Sequence, residues 1–234
     1  MRLVLFDIDG TLLVTGGVGQ SAARVSLERV FGTSGRLEQF YPGGRTIEAI
    51  FRDTLADAGI PEAVYQAKRE ALYANFFEEF KRRMESGEHR IRPLPGTQAL
   101  VEALDQHEDV IVGLVTGNHQ YTARCKLAFA GFDLKLFQVG AYGDESEHRP
   151  DLVRLAQVRA AELTGEPLDG RRTVMVGDTT RDVLAAKEAG AVSVAVASGT
   201  DDLALLQTVS PDHLLPDLAD LAQVLAIILE TEQA

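Results

Sequence analysis

Two aspartates two residues apart, Asp7 and Asp9, close a short run of branched apolar residues, Arg2–Phe6, and are followed at once by Gly10 and Thr11. On an extended chain residues i and i+2 point to the same side, so both carboxylates face one way. With no basic residue near them in sequence, they repel unless a cation or a shared proton intervenes. A plain Asp-Gly turn after a strand would need only one of them. A second pair closes another apolar run: Asp178 in Val176-Gly177-Asp178, and Asp182 four residues on, in what reads as the first turn of a helix. A carboxylate there is favourable on dipole grounds alone, so Asp182 gains its meaning from its company. If both runs are strands of one sheet, Asp7, Asp9, Asp178 and Asp182 converge on one edge. Hard oxygen ligands in that number suit Mg²⁺, which keeps several waters and bridges to a substrate phosphate. No cluster of Cys or His asks for a softer metal.

A third polar cluster, Thr116-Gly117-Asn118, follows the apolar run Val110–Val115. Thr116 either presents its hydroxyl to an anion beside the free N–H groups of the helix that begins there, or simply caps that helix. Gly10 permits a sharp turn after the first pair, and Thr11 can hydrogen-bond locally to hold it.

These residues need a frame. Apolar runs at Arg2–Phe6, Val110–Val115, Leu136–Gly140, Thr173–Val176 and Val192–Ala197 alternate with amphipathic stretches at His119–Ala130, Arg149–Thr164, Thr180–Ala189 and Leu218–Leu229. Strands buried on both faces and alternating with helices predict an α/β fold, a mostly parallel sheet joined by right-handed crossovers. In such sheets ligands bind beyond the carboxyl ends of the strands, where the aspartates fall. One interval breaks the alternation. From Gly16 to Arg92 no strand is apparent, and helical patterns run at Ser21–Phe31, Thr46–Ala58 and Pro61–Glu85, with Gly and Pro at the joints. We read residues 16–92 as a small helical domain spliced into a core made of residues 1–15 and 93–234.

Composition bounds the partners. The net charge is -12, from 23 Lys and Arg against 35 Asp and Glu, which repels nucleic acid and requires local cations at any site for phosphate esters. No segment approaches the roughly 18 apolar residues of a membrane span, and the first apolar run is cut short by Asp7, so no membrane association and a cytoplasmic location are expected. The single cysteine, Cys125, sits among apolar residues and reads as a small buried hydrophobe. Lys81-Arg82-Arg83 reads as a solvated helix face. Nothing in the chain selects between monomer and homodimer.

Taken in order, Asp7-Ile8-Asp9-Gly10-Thr11, Thr116-Gly117-Asn118 and Gly177-Asp178 with Asp182 resemble the first, second and fourth motifs of the haloacid dehalogenase superfamily. The resemblance implies a Rossmann-like core with a helical cap inserted after the first strand, and phosphoryl transfer with Mg²⁺ as cofactor. It makes Asp7 the nucleophile and Asp9 the general acid and base. It gives the metal to Asp7, Asp178 and the backbone carbonyl of Asp9, with Asp182 supporting it or orienting a cationic residue. Thr116, Gly117 and Asn118 would bind phosphate oxygens. The third motif is commonly Lys-Pro opening a helix; here His148-Arg149-Pro150 stands in that place, and Lys126 is the rival. Pro42-Gly43-Gly44-Arg45-Thr46 resembles the cap loop of phosphoglycolate-type members, where Arg45 would meet a second anionic group of the substrate or remain an ordinary loop arginine beside the helix cap Thr46.

The expected activity is hydrolysis of a phosphate monoester of a small metabolite through an aspartyl-phosphate. Asp9 argues against dehalogenation, which needs no leaving-group acid. A phosphomutase also uses paired aspartates, but Leu12–Gly17 lacks the usual cap signature of that group. A non-catalytic member that binds a phosphorylated ligand or a protein should have lost Asp7 or Asp9, and both are present.

Overall fold

The structure is a computed structural model and describes residues 1–41 and 43–230, so Pro42 of the expected turn lies outside the described residues. Its main sheet has six parallel strands in the order β5-β4-β1-β6-β7-β8. They are β1 (Arg2–Phe6), β4 (Val110–Thr116), β5 (Val139–Tyr142), β6 (Thr173–Gly177), β7 (Val192–Val196) and β8 (His213–Leu215). The strands that carry the aspartates, β1 and β6, lie side by side at the centre, with Leu3 opposite Thr173 and Phe6 opposite Val176. β4, which ends in Thr116, flanks β1 on its other side.

Alternation along β1 supplies both faces of the sheet. Leu3 and Leu5 pack on the side of α7 (Arg149–Thr164) and α8 (Thr180–Glu188). Val4 and Phe6 pack on the side of α5 (Thr97–Asp105), α6 (Gln120–Phe129) and α10 (Leu221–Glu230). Both sets have no exposed surface, as expected of a strand covered on both sides.

After Asp9 the chain runs through β2 (Leu13–Val14) into α1 (Val18–Phe31), α2 (Leu37–Phe40), α3 (Ile47–Asp57) and the long α4 (Glu62–Ser86), and returns through β3 (Arg92–Pro93). β2 and β3 pair antiparallel, Leu13 opposite Pro93 and Val14 opposite Arg92, and tie the outgoing and returning chain together. The helices pack on their own apolar cluster, with Leu27, Phe51, Leu55, Tyr65, Phe76 and Phe80 at its centre. Phe51 meets Tyr73 and Phe76 edge to face, at ring separations of 5.5 and 5.4 Å.

Several expectations shift. The strand expected at Leu136–Gly140 is β5 at Val139–Tyr142, because Leu134–Leu136 forms a short 3₁₀ turn whose leucines pack on the core instead. α5, α2, α9 (Leu203–Thr208) and β8 are further elements. Cys125 is half-buried, against the edge of the helical block. Lys81 and Arg82 reach solvent, but Arg83 is largely covered, and both arginines pair with Glu79, which is buried. No helix among the described residues is long and apolar enough to cross a membrane.

Candidate active site

The carboxyl ends of β1 and β4 and the loop before α3 border a cavity of ≈ 230 Å³ lined by Asp7, Asp9, Thr116, Gly117, Asn118, Lys126 and Arg149 from the core side, and by Gly43, Gly44, Arg45, Tyr41 and Ile47 opposite. The approach of the two halves requires glycine. Gly117 lies so close to the Arg45 carbonyl that a Cβ would collide with it, and its own carbonyl accepts the Ile47 N–H at 2.8 Å. Gly10, at φ +84°, turns the chain where a Cβ would strike the Asp178 carboxylate and Gly199.

Asp7, Asp178 and Asp182 each offer one carboxylate oxygen, and these lie within 4.8 Å of one another, all buried. Burial pushes the Asp7 carboxyl up to about 6; Arg149 opposes this, while Asp182 and Asp9 add to it. Burial also raises Asp178 well above the usual range, with Asp7 and Asp182 adding repulsion and the Thr200 N–H and Arg149 opposing. The Thr200 N–H donates to Asp178 Oδ2 at 2.6 Å, and the Thr11 hydroxyl to Oδ1 at 3.3 Å. Asp182 is more fully occupied: its Oδ2 accepts from the N–H and hydroxyl of Thr179 at 3.1 and 2.5 Å, a reciprocal cap for α8. Its Oδ1 accepts from Arg149 Nε at 2.7 Å. Three buried, like-charged oxygens with one guanidinium among them are under-compensated, and an all-oxygen site of this size and charge fits Mg²⁺.

Arg149 opens α7 and is 5% exposed; its Nη2 lies 2.9 Å from Asp7 Oδ1, and it also pairs with Asp182. Lys126, 3% exposed on α6, instead donates to Asp9 Oδ2 and Asn118 Oδ1, both at 2.6 Å. The two rival cations thus serve different aspartates. The Asp9 carboxylate does not join the other three. Asn118 Nδ2 at 2.7 Å, Lys126 and the Thr15 hydroxyl at 3.2 Å turn it aside. Burial pushes it up, but Lys126 and these hydrogen bonds hold it below the usual carboxylate range.

Thr116 is buried, and its hydroxyl accepts from the Asn118 N–H and Nδ2 at 3.3 and 2.8 Å. The cap of α6 is His119, whose Nδ1 accepts from the Tyr121 N–H, so Thr116 is not the helix cap. Arg45 lines the cavity, but its guanidinium pairs with Asp53 of α3. Thr46 caps α3, accepting from the Ala49 N–H. Thr15, Tyr41 and Thr200, which carry no motif in the sequence, also line the cavity. Thr200 follows β7 at the same sheet edge as the aspartates, and that position in the alternation is the signal that points to it.

A family model described as haloacid dehalogenase-like hydrolase matches residues 1–190. The chain belongs to this family. Phosphoglycolate phosphatase of Agrobacterium fabrum is 28% identical over 229 residues, covering 95% of this chain and 91% of the relative. Pyrophosphatase PpaX of Bacillus mycoides is 25% identical over 232 residues, covering 97% and 98%. Among solved structures, a hydrolase from Pseudomonas syringae has the same fold at a TM-score of 0.73 and 24% identity, covering 97% of this chain and 99% of that one.

Proposed function

We propose that the protein is a Mg²⁺-dependent phosphatase that hydrolyses small phosphate monoesters through an aspartyl-phosphate on Asp7. The observation that carries the reading is the placement of Asp7: buried, 2.9 Å from Arg149, grouped with Asp178 and Asp182, and facing a cavity that Asp9 also lines. The similarity to relatives named phosphoglycolate phosphatase and pyrophosphatase supports a phosphorylated substrate, and the small cavity supports a metabolite rather than a macromolecule.

Asp7 attacks phosphorus and the bond to the leaving oxygen breaks, dividing one displacement into two. Asp9 gives its proton to that oxygen, then takes one from the water that hydrolyses the aspartyl-phosphate. Arg149 opposes the rise that burial imposes on Asp7 and meets the equatorial phosphoryl oxygens, together with Thr116 and the N–H groups of Gly117 and Asn118. Asp7, Asp178, Asp182 and the Asp9 carbonyl would hold Mg²⁺, which when bound offsets the clustered carboxylates and draws charge from the phosphoryl group. The helical block acts as a cap that limits the leaving group and excludes water. Arg45 would meet an anionic leaving group after exchanging Asp53 for it.

The test is phosphate release from p-nitrophenyl phosphate with Mg²⁺. EDTA should abolish it, and Asp7→Asn should lower kcat by about 10³-fold or more, since the covalent route is lost. Turnover that survives full chelation, or an unimpaired Asp7→Asn variant, contradicts the reading.

A further inference from the structure

We infer that Lys126 is the positioning residue for Asp9, fixing the carboxylate so that Oδ1, and not Oδ2, exchanges the proton with the leaving group; the inference rests on the reading above. Lys126 lies on α6, separated from Asp9 by 117 positions, yet its ammonium is buried directly against it. Asp9 Oδ2 accepts from Lys126 Nζ at 2.6 Å and from Asn118 Nδ2 at 2.7 Å. Lys126 also donates to Asn118 Oδ1 at 2.6 Å, closing a three-membered ring of contacts. Asn118 is itself tied to Thr116 through Nδ2 at 2.8 Å. A proton on Oδ2 would point at two N–H donors, so that oxygen is reserved as an acceptor. Among the described residues Oδ1 has one hydrogen-bond partner, the Thr15 hydroxyl at 3.2 Å, which can donate or accept as the proton comes and goes.

The geometry divides labour between the two buried cations. Arg149 is committed to Asp7 and Asp182, on the side where phosphorus is attacked. Lys126 pairs with Asp9 and bonds to Asn118. In the first half-reaction Asp9 Oδ1 takes the proton of the entering monoanionic ester; the bond between phosphorus and the leaving oxygen breaks as Asp7 bonds to phosphorus, and the Oδ1 proton passes to the leaving oxygen to give the alcohol. In the second, water bonds to phosphorus, its proton goes to Asp9 Oδ1, the bond to Asp7 breaks, and that proton leaves with the phosphate, restoring both aspartates.

Leaving-group dependence separates this role from phosphate binding or plain packing. An alkoxide leaves slowly without an acid, whereas p-nitrophenolate leaves without one, and kcat/KM covers only the steps through transfer to Asp7. With Lys126→Met, kcat/KM should fall about 100-fold for the alkyl phosphate that the wild type turns over best, and less than about 5-fold for p-nitrophenyl phosphate. Lys126→Gln, which keeps an uncharged NH₂ donor group, should fall between, and thermal melts should show both variants folded. Equal losses on the two substrates in both variants would overturn the inference and leave the phosphatase reading intact. A wild type that turns over neither substrate with Mg²⁺ would overturn the phosphatase reading and the inference with it.

Discussion

The molecule buries carboxylates in two regions and treats them in opposite ways. In the helical block Glu48 of α3 is 8% exposed, and its oxygens accept from the hydroxyls of Tyr65 and Tyr73, both at 2.7 Å, and from Arg69 at 2.8 to 3.2 Å. Burial pushes this carboxyl up, but the bonds from Arg69 and the two tyrosines outweigh it and hold it below the usual range. At the sheet edge Asp7 and Asp178 are as deeply buried, yet both are pushed up, with one arginine paired to only two of the three aspartates, Asp7 and Asp182. A buried charge that serves only the fold is surrounded by donors until it is satisfied. The sheet-edge cluster is left short of positive charge, the condition of a site that could hold a cation.

The comparison can be broken at either end. The largest effect is expected at Asp178. Asp178→Asn should cost several kcal/mol of transition-state stabilisation, about 10³-fold in kcat, while raising the melting temperature of metal-free protein, because one of three repelling charges is gone. A variant that loses activity and also melts lower without metal would place Asp178 with Glu48, as a structural group. Next comes Glu48→Ala, which strands Arg69 and two tyrosine hydroxyls; we expect a loss of about 2 kcal/mol, kept modest because the Arg69 guanidinium is partly in solvent. The smallest effect is on pH dependence. Because the folded pKa of Glu48 is depressed, its contribution is present above its unfolded value of 4.5 and is lost as pH falls through the lower folded value. Denaturant titrations between pH 3 and 6 should therefore show a steeper acid-side decline for wild type than for Glu48→Gln. Parallel curves would refute the assignment.

The two regions also differed in how much of them could be read in advance. β1, β4, β6 and β7 are continuous apolar runs because both of their faces are covered, and each announces its polar exit. β5 is an edge strand, and the apolar run before it belongs to a turn, so its register slipped by three residues at the start. β8, at three residues, is too short for a periodic signal, and α5, though amphipathic, spans only nine residues. At the site, the residue types and their order marked Asp7, Asp178, Asp182 and Arg149, since strand ends carry them to one edge. The turning of Asp9 toward Lys126 was not legible, because it depends on a contact between β1's exit and a helix face that only tertiary packing decides. Likewise the environment of Glu48 depends on two tyrosines and an arginine from α4, and a lone Glu on an amphipathic helix gives no hint of it.

The central claim is that the under-compensated cluster delivers a phosphoryl group to Asp7. The direct measurement is an acid quench during steady-state turnover with Mg²⁺, followed by borohydride reduction and peptide mass mapping. An aspartyl-phosphate at Asp7 should be recovered as homoserine at position 7, and only when substrate is present. Turnover with an unmodified Asp7, or with homoserine at another aspartate, would contradict the account.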